Sequence, residues 1–251
     1  MNLCTDQLAM LLAEPGQLVS VSFLAADETS SLMSEATAGL AINHGLAEEI
    51  FRLEPDLVVA GKYTTRATVN LLKRLGERVE EFDPARNFDD IAERTLRMGE
   101  LLGRRQAAQR AVAEMERELR AQSDGLPEAG RQTLGSYGSN SFTSGKNTLE
   151  NAIVKKSGVR HLGEEIGVAG TIRLPLETLI IADPDRLLIW NRFAALKSRS
   201  VEILSHPALD ARFGPERRLS ADSRYWLCGT PLTVGAITRL KAAARGKEID
   251  P

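Results

Sequence analysis

The sequence predicts an α/β fold of two like lobes joined by one long helix. Three observations predict it: short apolar runs alternate with helical patterns, the rhythm stops from Asn87 to about Ala121, and an internal echo falls on both sides of that stretch. The expected strands are Gln17–Ser22, Asp56–Gly61, Arg78–Asp83, Gln132–Tyr137 and Asp185–Trp190, with a further one at Tyr225–Cys228. Between them the periodicity gives helices over Asp6–Leu12, Leu46–Leu53, Thr65–Leu75, Leu149–Ser157 and Leu176–Ile181. Gly76 and Gly158 follow two of these helices, where a left-handed cap residue is expected.

The long helix has its own signals. From Asn87 to Ala121 no proline occurs, and Ile91, Met98, Leu102, Ala108, Val112, Met115 and Leu119 recur mostly at three or four residues, with occasional steps of seven. Asn87 is a good N-cap, and Asp89 and Asp90 sit in the first turn, where the macrodipole favours acids. Such a helix would be about 50 Å long, more than a small lobe is wide. Gly103 could bend it. A coiled-coil arm would show the same periodicity, but α/β patterns on both sides favour a strut. The expected organisation is an N-terminal lobe over 1–86, a connecting helix over 87–122 and a C-terminal lobe over 123–251.

The echo supports two lobes of like construction. Glu48-Glu49-Ile50-Phe51-Arg52-Leu53-Glu54-Pro55-Asp56-Leu57 returns as Glu177-Thr178-Leu179-Ile180-Ile181-Ala182-Asp183-Pro184-Asp185-Arg186, with one constant offset (48 to 177, 55 to 184, 56 to 185). Each copy reads as a short helix, an acidic-Pro-Asp turn and a buried strand.

Composition and motifs exclude several functions. Lys+Arg is 32 against Asp+Glu 34, a net charge of −2, so no basic excess asks for nucleic acid. The longest apolar runs, such as Leu8–Ala13 and Leu57–Ala60, are too short to span a bilayer. Met1 is followed at once by Asn-Leu-Cys, with no basic or apolar leader; read literally this means cytoplasm, although a start placed too far downstream would look the same. Cys4 and Cys228 are the only cysteines, enough for one bridge in an oxidising compartment or for two buried thiols. The segment Gly135–Lys146 fails as a phosphate loop, because Asn stands at 140 and 147 where glycine and Ser or Thr are needed. No dinucleotide fingerprint, nucleophile elbow or zinc spacing is present, and His44, His161 and His206 lie far apart. No catalytic residue, resident cofactor or metal site is therefore expected; an enzyme on such a frame, or a cytosolic binding or sensor module, is the alternative to a binding protein.

The assembled pieces resemble a known group. Gly45–Ile50 leading into Pro55-Asp56-Leu57-Val58, then Phe142-Thr143-Ser144-Gly145-Lys146, then Pro175-Leu176-Glu177 leading into Asp183-Pro184-Asp185 are similar in order and spacing to the ABC-importer substrate-binding proteins of class III, whose two Rossmann-like lobes are joined by one long helix. That group carries iron-siderophores, haem and cobalamin, and the resemblance runs from Asn2 to about Ala244. It implies capture of a metal chelate in the interlobe cleft by a periplasmic monomer and delivery to a permease dimer in the inner membrane. It also implies that one glutamate per lobe, here Glu48 and Glu177, docks onto arginines of that permease.

The resemblance, with the rule that open α/β sheets bind ligands beyond their strand C-terminal ends, puts Phe23, Leu24, His44, Lys62, Tyr63, Asn140, Phe142, Trp190, Arg192 and Trp226 in ligand-facing loops. The aromatics could stack on a flat macrocycle or catecholate, and Lys62, Arg192 and Arg224 could offset an anionic chelate. His44 could reach the metal or a ligand edge. There are departures. The cleft aromatics of cobalamin-binding members align with Leu24, Ile42 and Gly61, and their disulfide falls on Ser157 and a position near Ala242. Cys4 and Cys228 instead fall in loops expected to face the cleft from opposite lobes, where a bond would tie the lobes together. Met1 would start inside the first strand, which the group completes with upstream residues, so a leader and half a strand are expected to be missing from this sequence.

Overall fold

Parallel strand pairing organises the chain. The computed structural model describes residues 1–122, 132–190, 199–219, 222 and 224–244. It divides into two compact units, Met1–Met115 with Leu227–Leu232, and Glu116–Trp226 with Thr233–Pro251.

The first unit begins with α1 (Leu3–Leu12), three residues earlier than its periodicity predicts, because Asn2 is an N-cap whose side-chain oxygen accepts the backbone N–H groups of Cys4 and Thr5. There follow β1 (Ser20–Ser22), α2 (Phe23–Ala26), β2 (Ala41–Asn43), α3 (Ala47–Phe51), β3 (Val58–Gly61), α4 (Arg66–Arg74) and β4 (Val79–Phe82). β1 pairs with β2 and β3 with β4, both parallel. Leu8, Ala9, Leu12, Phe82, Met98 and Ala108 form one core cluster; Ala47, Ile50, Val58 and Leu72 form another. Asp6 is buried between α1 and β1, accepting the Ser22 N–H at 2.8 Å. A cavity of about 230 Å³ opens at the starts of β1 and β3, lined by Val19–Val21, Leu57–Val59, Asp6 and Leu102 among others.

The expected single rod is in fact two helices, α5 (Phe88–Leu101) and α6 (Arg105–Ala121). Asn87 caps α5 as anticipated, accepting the Asp90 N–H at 2.8 Å. The interruption has a clear cause. Gly103 takes a left-handed φ of +68°, and the Arg104 N–H reaches back to the Gly99 carbonyl at 2.6 Å, which closes the helix. The turn is sharp: a Cβ on Gly99 would lie 2.4 Å from the Ala108 Cβ, whereas nine residues of straight helix would separate them by about 13 Å. The glycine at 99 therefore permits α5 and α6 to touch. The boundary between the two units falls within α6, between Met115 and Glu116.

In the second unit the strands are β5 (Thr133–Gly138), β6 (Phe142–Ser144), β7 (Arg160–His161), β8 (Thr171–Arg173), β9 (Arg186–Trp190) and β10 (Arg218–Leu219). The helices are α7 (Leu149–Lys156), α8 (Leu162–Glu165), α9 (Leu176–Ala182), α10 (Arg199–Glu202), α11 (Pro207–Arg212), α12 (Arg224–Leu227) and α13 (Val234–Ala244). The sheet order is β10-β9-β5-β6-β8, with β7 also on β5; β6 runs antiparallel to β5 and β8. β5 is buried along its whole length, as a central strand should be. The expected strand at Tyr225–Cys228 is a correction: those residues lie in and after α12. Four residues are too few for periodicity to separate helix from strand.

The internal echo is visible in the backbone. Glu54 and Asp183, equivalent residues of the two copies, are both left-handed, with φ of 45° and 44°. Non-glycine residues enter that region rarely. In each copy the reversal ends a helix and sends the chain into a strand, α3 into β3 and α9 into β9. Gly76 and Gly158 also have the anticipated positive φ, 93° and 74°.

If the glycine contact holds α5 against α6, Gly99→Val should lower stability by about 2 kcal/mol, the cost of overpacking. Gly103→Ala should cost about 1 kcal/mol through backbone strain alone. Urea unfolding of both variants checks the order; equal stability of Gly99→Val and the parent chain would refute it.

Candidate ligand-binding site

In the first unit, register brings the predicted residues together. Ser22 pairs with Asn43 at the ends of β1 and β2, so the next residues, Phe23 and His44, emerge side by side. Their rings stack, with centroids 5.7 Å apart and planes 19° from parallel. Gly61 pairs with Phe82 at the ends of β3 and β4, and the following residues meet likewise: Lys62 Nζ lies 2.7 Å from Asp83 Oδ1. That hydrogen bond raises the Lys62 pKa and lowers that of Asp83, keeping both charged. Tyr63, beside Lys62, is 79% exposed, Phe23 is 48% exposed, and Leu24 is half-buried. Large exposed aromatics on a chain with only 5% aromatic residues are an informative surface.

Glu49 missed notice in the sequence, yet it holds His44 twice. Its Oε2 accepts the His44 backbone N–H at 2.7 Å, and its Oε1 lies 3.2 Å from His44 Nδ1. The spacing of five residues across a turn gives no periodic signal, so only the fold reveals the pair.

In the second unit, Asn140 is exposed with a left-handed φ of 59° in the turn between β5 and β6. Phe142 opens β6, half-buried, with the Arg173 guanidinium 5.5 Å from its ring centre. Trp190 ends β9 opposite Gly138, and its ring occupies the space a side chain there would fill. Trp190 and Trp226 both pack on the cluster containing Leu134, Val154, Leu188 and Leu240, so much of each indole is core. Each indole N–H is buried with no acceptor among the described residues. Arg224 is engaged by Asp222 at 2.7 Å, and Arg192 lies outside the described residues.

Glu48 and Glu177 occupy matching places. Each is the second residue of its helix, α3 or α9, and each is exposed. Phe51 and Ile181, one turn further on, are exposed as well, Ile181 to 83%.

Cys4 and Cys228 are bonded, with Cα atoms 4.9 Å apart. The expectation that they would tie opposite lobes is corrected: residues 227–232 belong to the first unit with Cys4. The reason is packing, since Gly229 sits so close to Ala85 and Ile91 that a side chain at 229 would overlap them. The bond closes a sequence separation of 224 residues, a constraint on the unfolded chain of up to about 5 kcal/mol.

One buried titratable cluster stands apart in the second unit. His161, fully buried, accepts the Glu164 N–H on Nδ1 and so directs its Nε2–H at Glu150 Oε1, 3.2 Å away. Burial pushes the Glu150 carboxyl up, but the hydrogen bond and charge of His161 oppose it, and the pKa lies below its ordinary 4.5. The carboxylate takes hydrogen bonds and frees no nucleophile, so this arrangement ties α7 to β7. Among the described residues no group of three or more His, Cys, Asp or Glu side chains could hold a metal ion.

Residues 1–211 match the family described as periplasmic binding protein. The chain belongs to that family. Its α/β fold is that of the class III members. The periplasmic heme-binding protein RhuT from Roseiflexus sp. RS-1 is 21% identical, with a TM-score of 0.80 over 98% of this chain and 96% of that one. The periplasmic vitamin B12 binding protein BtuF of Vibrio cholerae is 15% identical, with a TM-score of 0.73 over 98% and 94%. At these identities the likeness establishes the fold. A cobalamin-binding protein of Halobacterium salinarum is 28% identical over 141 residues, 55% of this chain but only 38% of that protein's own length.

The His161 bond gives a pH prediction. A carboxylate with a depressed folded pKa stabilises the protein above its unfolded pKa and loses that contribution as pH falls through the folded value. Glu150→Gln should therefore cost about 1–3 kcal/mol at pH 7, a gap that closes as pH drops below 4.5. Urea unfolding of both proteins across that range checks it; a gap independent of pH would contradict the ionic role.

Proposed function

We propose that this chain is the substrate-binding component of an ABC importer, acting as a periplasmic monomer that captures a metal chelate and releases it to a dimeric permease without chemical change. The chelate is an iron-siderophore, haem or a cobalamin-type corrinoid. The observation that carries this reading is the aromatic face at the strand ends of the first unit, where Phe23, His44 and Tyr63 stand exposed. Membership of the periplasmic binding protein family, and the likeness to solved heme-binding and vitamin B12 binding proteins, support it. Apolar rings on the surface favour a flat, largely apolar ligand. A disulfide-bonded cysteine pair fits an oxidising compartment.

Permease docking through Glu48 and Glu177 is part of the proposal. Among the described residues neither carboxylate has a partner, and both repeat in register, so each is free to meet an arginine. Exposed Phe51 and Ile181 supply an apolar neighbour in each case.

Tryptophan fluorescence during titration with ferric protoporphyrin, cobalamin and a ferric siderophore should show saturable binding of one of them; a flat response to all three would remove the ligand class. In vesicles carrying the permease, Glu48→Ala with Glu177→Ala should abolish transport stimulation while chelate affinity stays within about twofold. Loss of affinity instead would refute the docking assignment.

A further inference from the structure

We propose that α3 couples docking to release: permease contact at Glu48 shifts this short helix, and Glu49 passes the shift to His44 and Phe23. The inference rests on the importer reading and adds the regulation of its binding site.

The route is short. Glu48 and Glu49 are consecutive, so their Cα atoms are about 3.8 Å apart. Glu48 is exposed, whereas Glu49 is half-buried and reaches back along the chain. Its Oε2 accepts the His44 backbone N–H at 2.7 Å and its Oε1 lies 3.2 Å from His44 Nδ1, so backbone and ring of His44 are both fastened to α3. Phe23 stacks on that ring. On its other side His44 follows a fixed strand end: Asn43 pairs with Ser22, and the Asn43 amide donates to Ser20 Oγ at 2.8 Å. Gly45 makes the reversal between strand and helix, with a left-handed φ of 77°. Movement of α3 against β2 is therefore taken up at residues 44–46, and Glu49 obliges His44 to follow the helix. The helix itself is lightly held: of its five residues only Ala47 and Ile50 are buried, against Val58 and Leu72. Elements with few buried apolar contacts are the ones that shift at low cost.

The second copy of the repeat lacks this link. Glu177 takes the place of Glu48, but Thr178 takes that of Glu49, and its side chain is too short to reach back over the preceding turn. Leu174, just ahead of α9, is held by β5 and the turn after it instead: its N–H donates to the Ser141 carbonyl at 2.9 Å, and its carbonyl accepts the Tyr137 hydroxyl at 3.1 Å. Docking at Glu177 thus adds grip, while docking at Glu48 also carries a signal. Linkage makes that signal reciprocal. If docking weakens chelate binding by some factor, bound chelate weakens docking by the same factor.

Affinities of the full chain for ferric protoporphyrin, cobalamin and a ferric siderophore, each with and without saturating permease vesicles, test the route. For the chelate that binds, docking should lower affinity about tenfold, and the loaded chain should dock about tenfold more weakly than the empty one. Empty Glu49→Ala should still dock, which also reports a folded α3, yet both factors should fall to about one. Glu49→Gln keeps an oxygen for the His44 N–H and should retain most of each factor, and Thr178→Ala should retain both in full. A merely structural role for Glu49 would change chelate affinity equally with and without permease and leave both factors at about ten in Glu49→Ala; that result would overturn the proposal. A parent chain that docks with no loss of chelate affinity would overturn the coupling and keep the importer reading. A parent chain that binds none of the three chelates, or does not dock, would overturn both.

Discussion

Strand register in the first unit is the constraint on which the candidate site depends. Two parallel pairs end together, Ser22 with Asn43 and Gly61 with Phe82, so the residue after each strand is delivered beside its counterpart. Phe23 meets His44 and Lys62 meets Asp83 for the same geometric reason. A one-residue slip would turn those side chains to the other face. Burial of Val21, Val58, Ala60 and Phe82 opposes any slip, since it would expose them. The core thus fixes where the surface chemistry appears.

A second constraint comes from small residues at close approaches. Gly99 admits Ala108 and turns the expected rod into a corner, and Gly229 admits Ala85 and brings Cys228 to Cys4. Neither contact depends on a large buried area. Both depend on the absence of a side chain, which is why they alter topology so strongly.

Much of the frame was legible because it rests on local signals. Asn87 as a cap, the turn glycines at 76 and 158, the strands later seen at Val58–Gly61 and Arg186–Trp190, and the repeat that ends in left-handed Glu54 and Asp183 all follow from spacing and residue type. The parts that escaped are tertiary. Ala41–Asn43 and Phe142–Ser144 are strands of three residues, too short to carry a period. Gly103 is legible as a place where the helix could bend, but the sharpness of the corner depends on the contact of Gly99 with Ala108, nine residues on, which no local pattern carries. At the site, Phe23, His44 and Tyr63 were legible as aromatic or titratable residues after strands, whereas Glu49 was hidden because its role exists only through the turn that folds it onto His44. Trp190 and Trp226 read equally well as ligand contacts and as core, and their packing against Leu134 and Leu188 accounts for much of their surface.

The functional account therefore narrows to the residues that follow the strands of the first unit: Phe23 and His44 after β1 and β2, and Lys62 and Tyr63 after β3. The 230 Å³ cavity lies at the opposite ends of β1 and β3, and is lined by Val19–Val21 and Leu57–Val59. Amide hydrogen exchange with and without bound ferric protoporphyrin separates the two directly. The account predicts ligand-dependent protection concentrated at residues 23–26, 43–46 and 61–64. Protection confined to residues 19–21 and 55–59, with none at the strand ends, would contradict it.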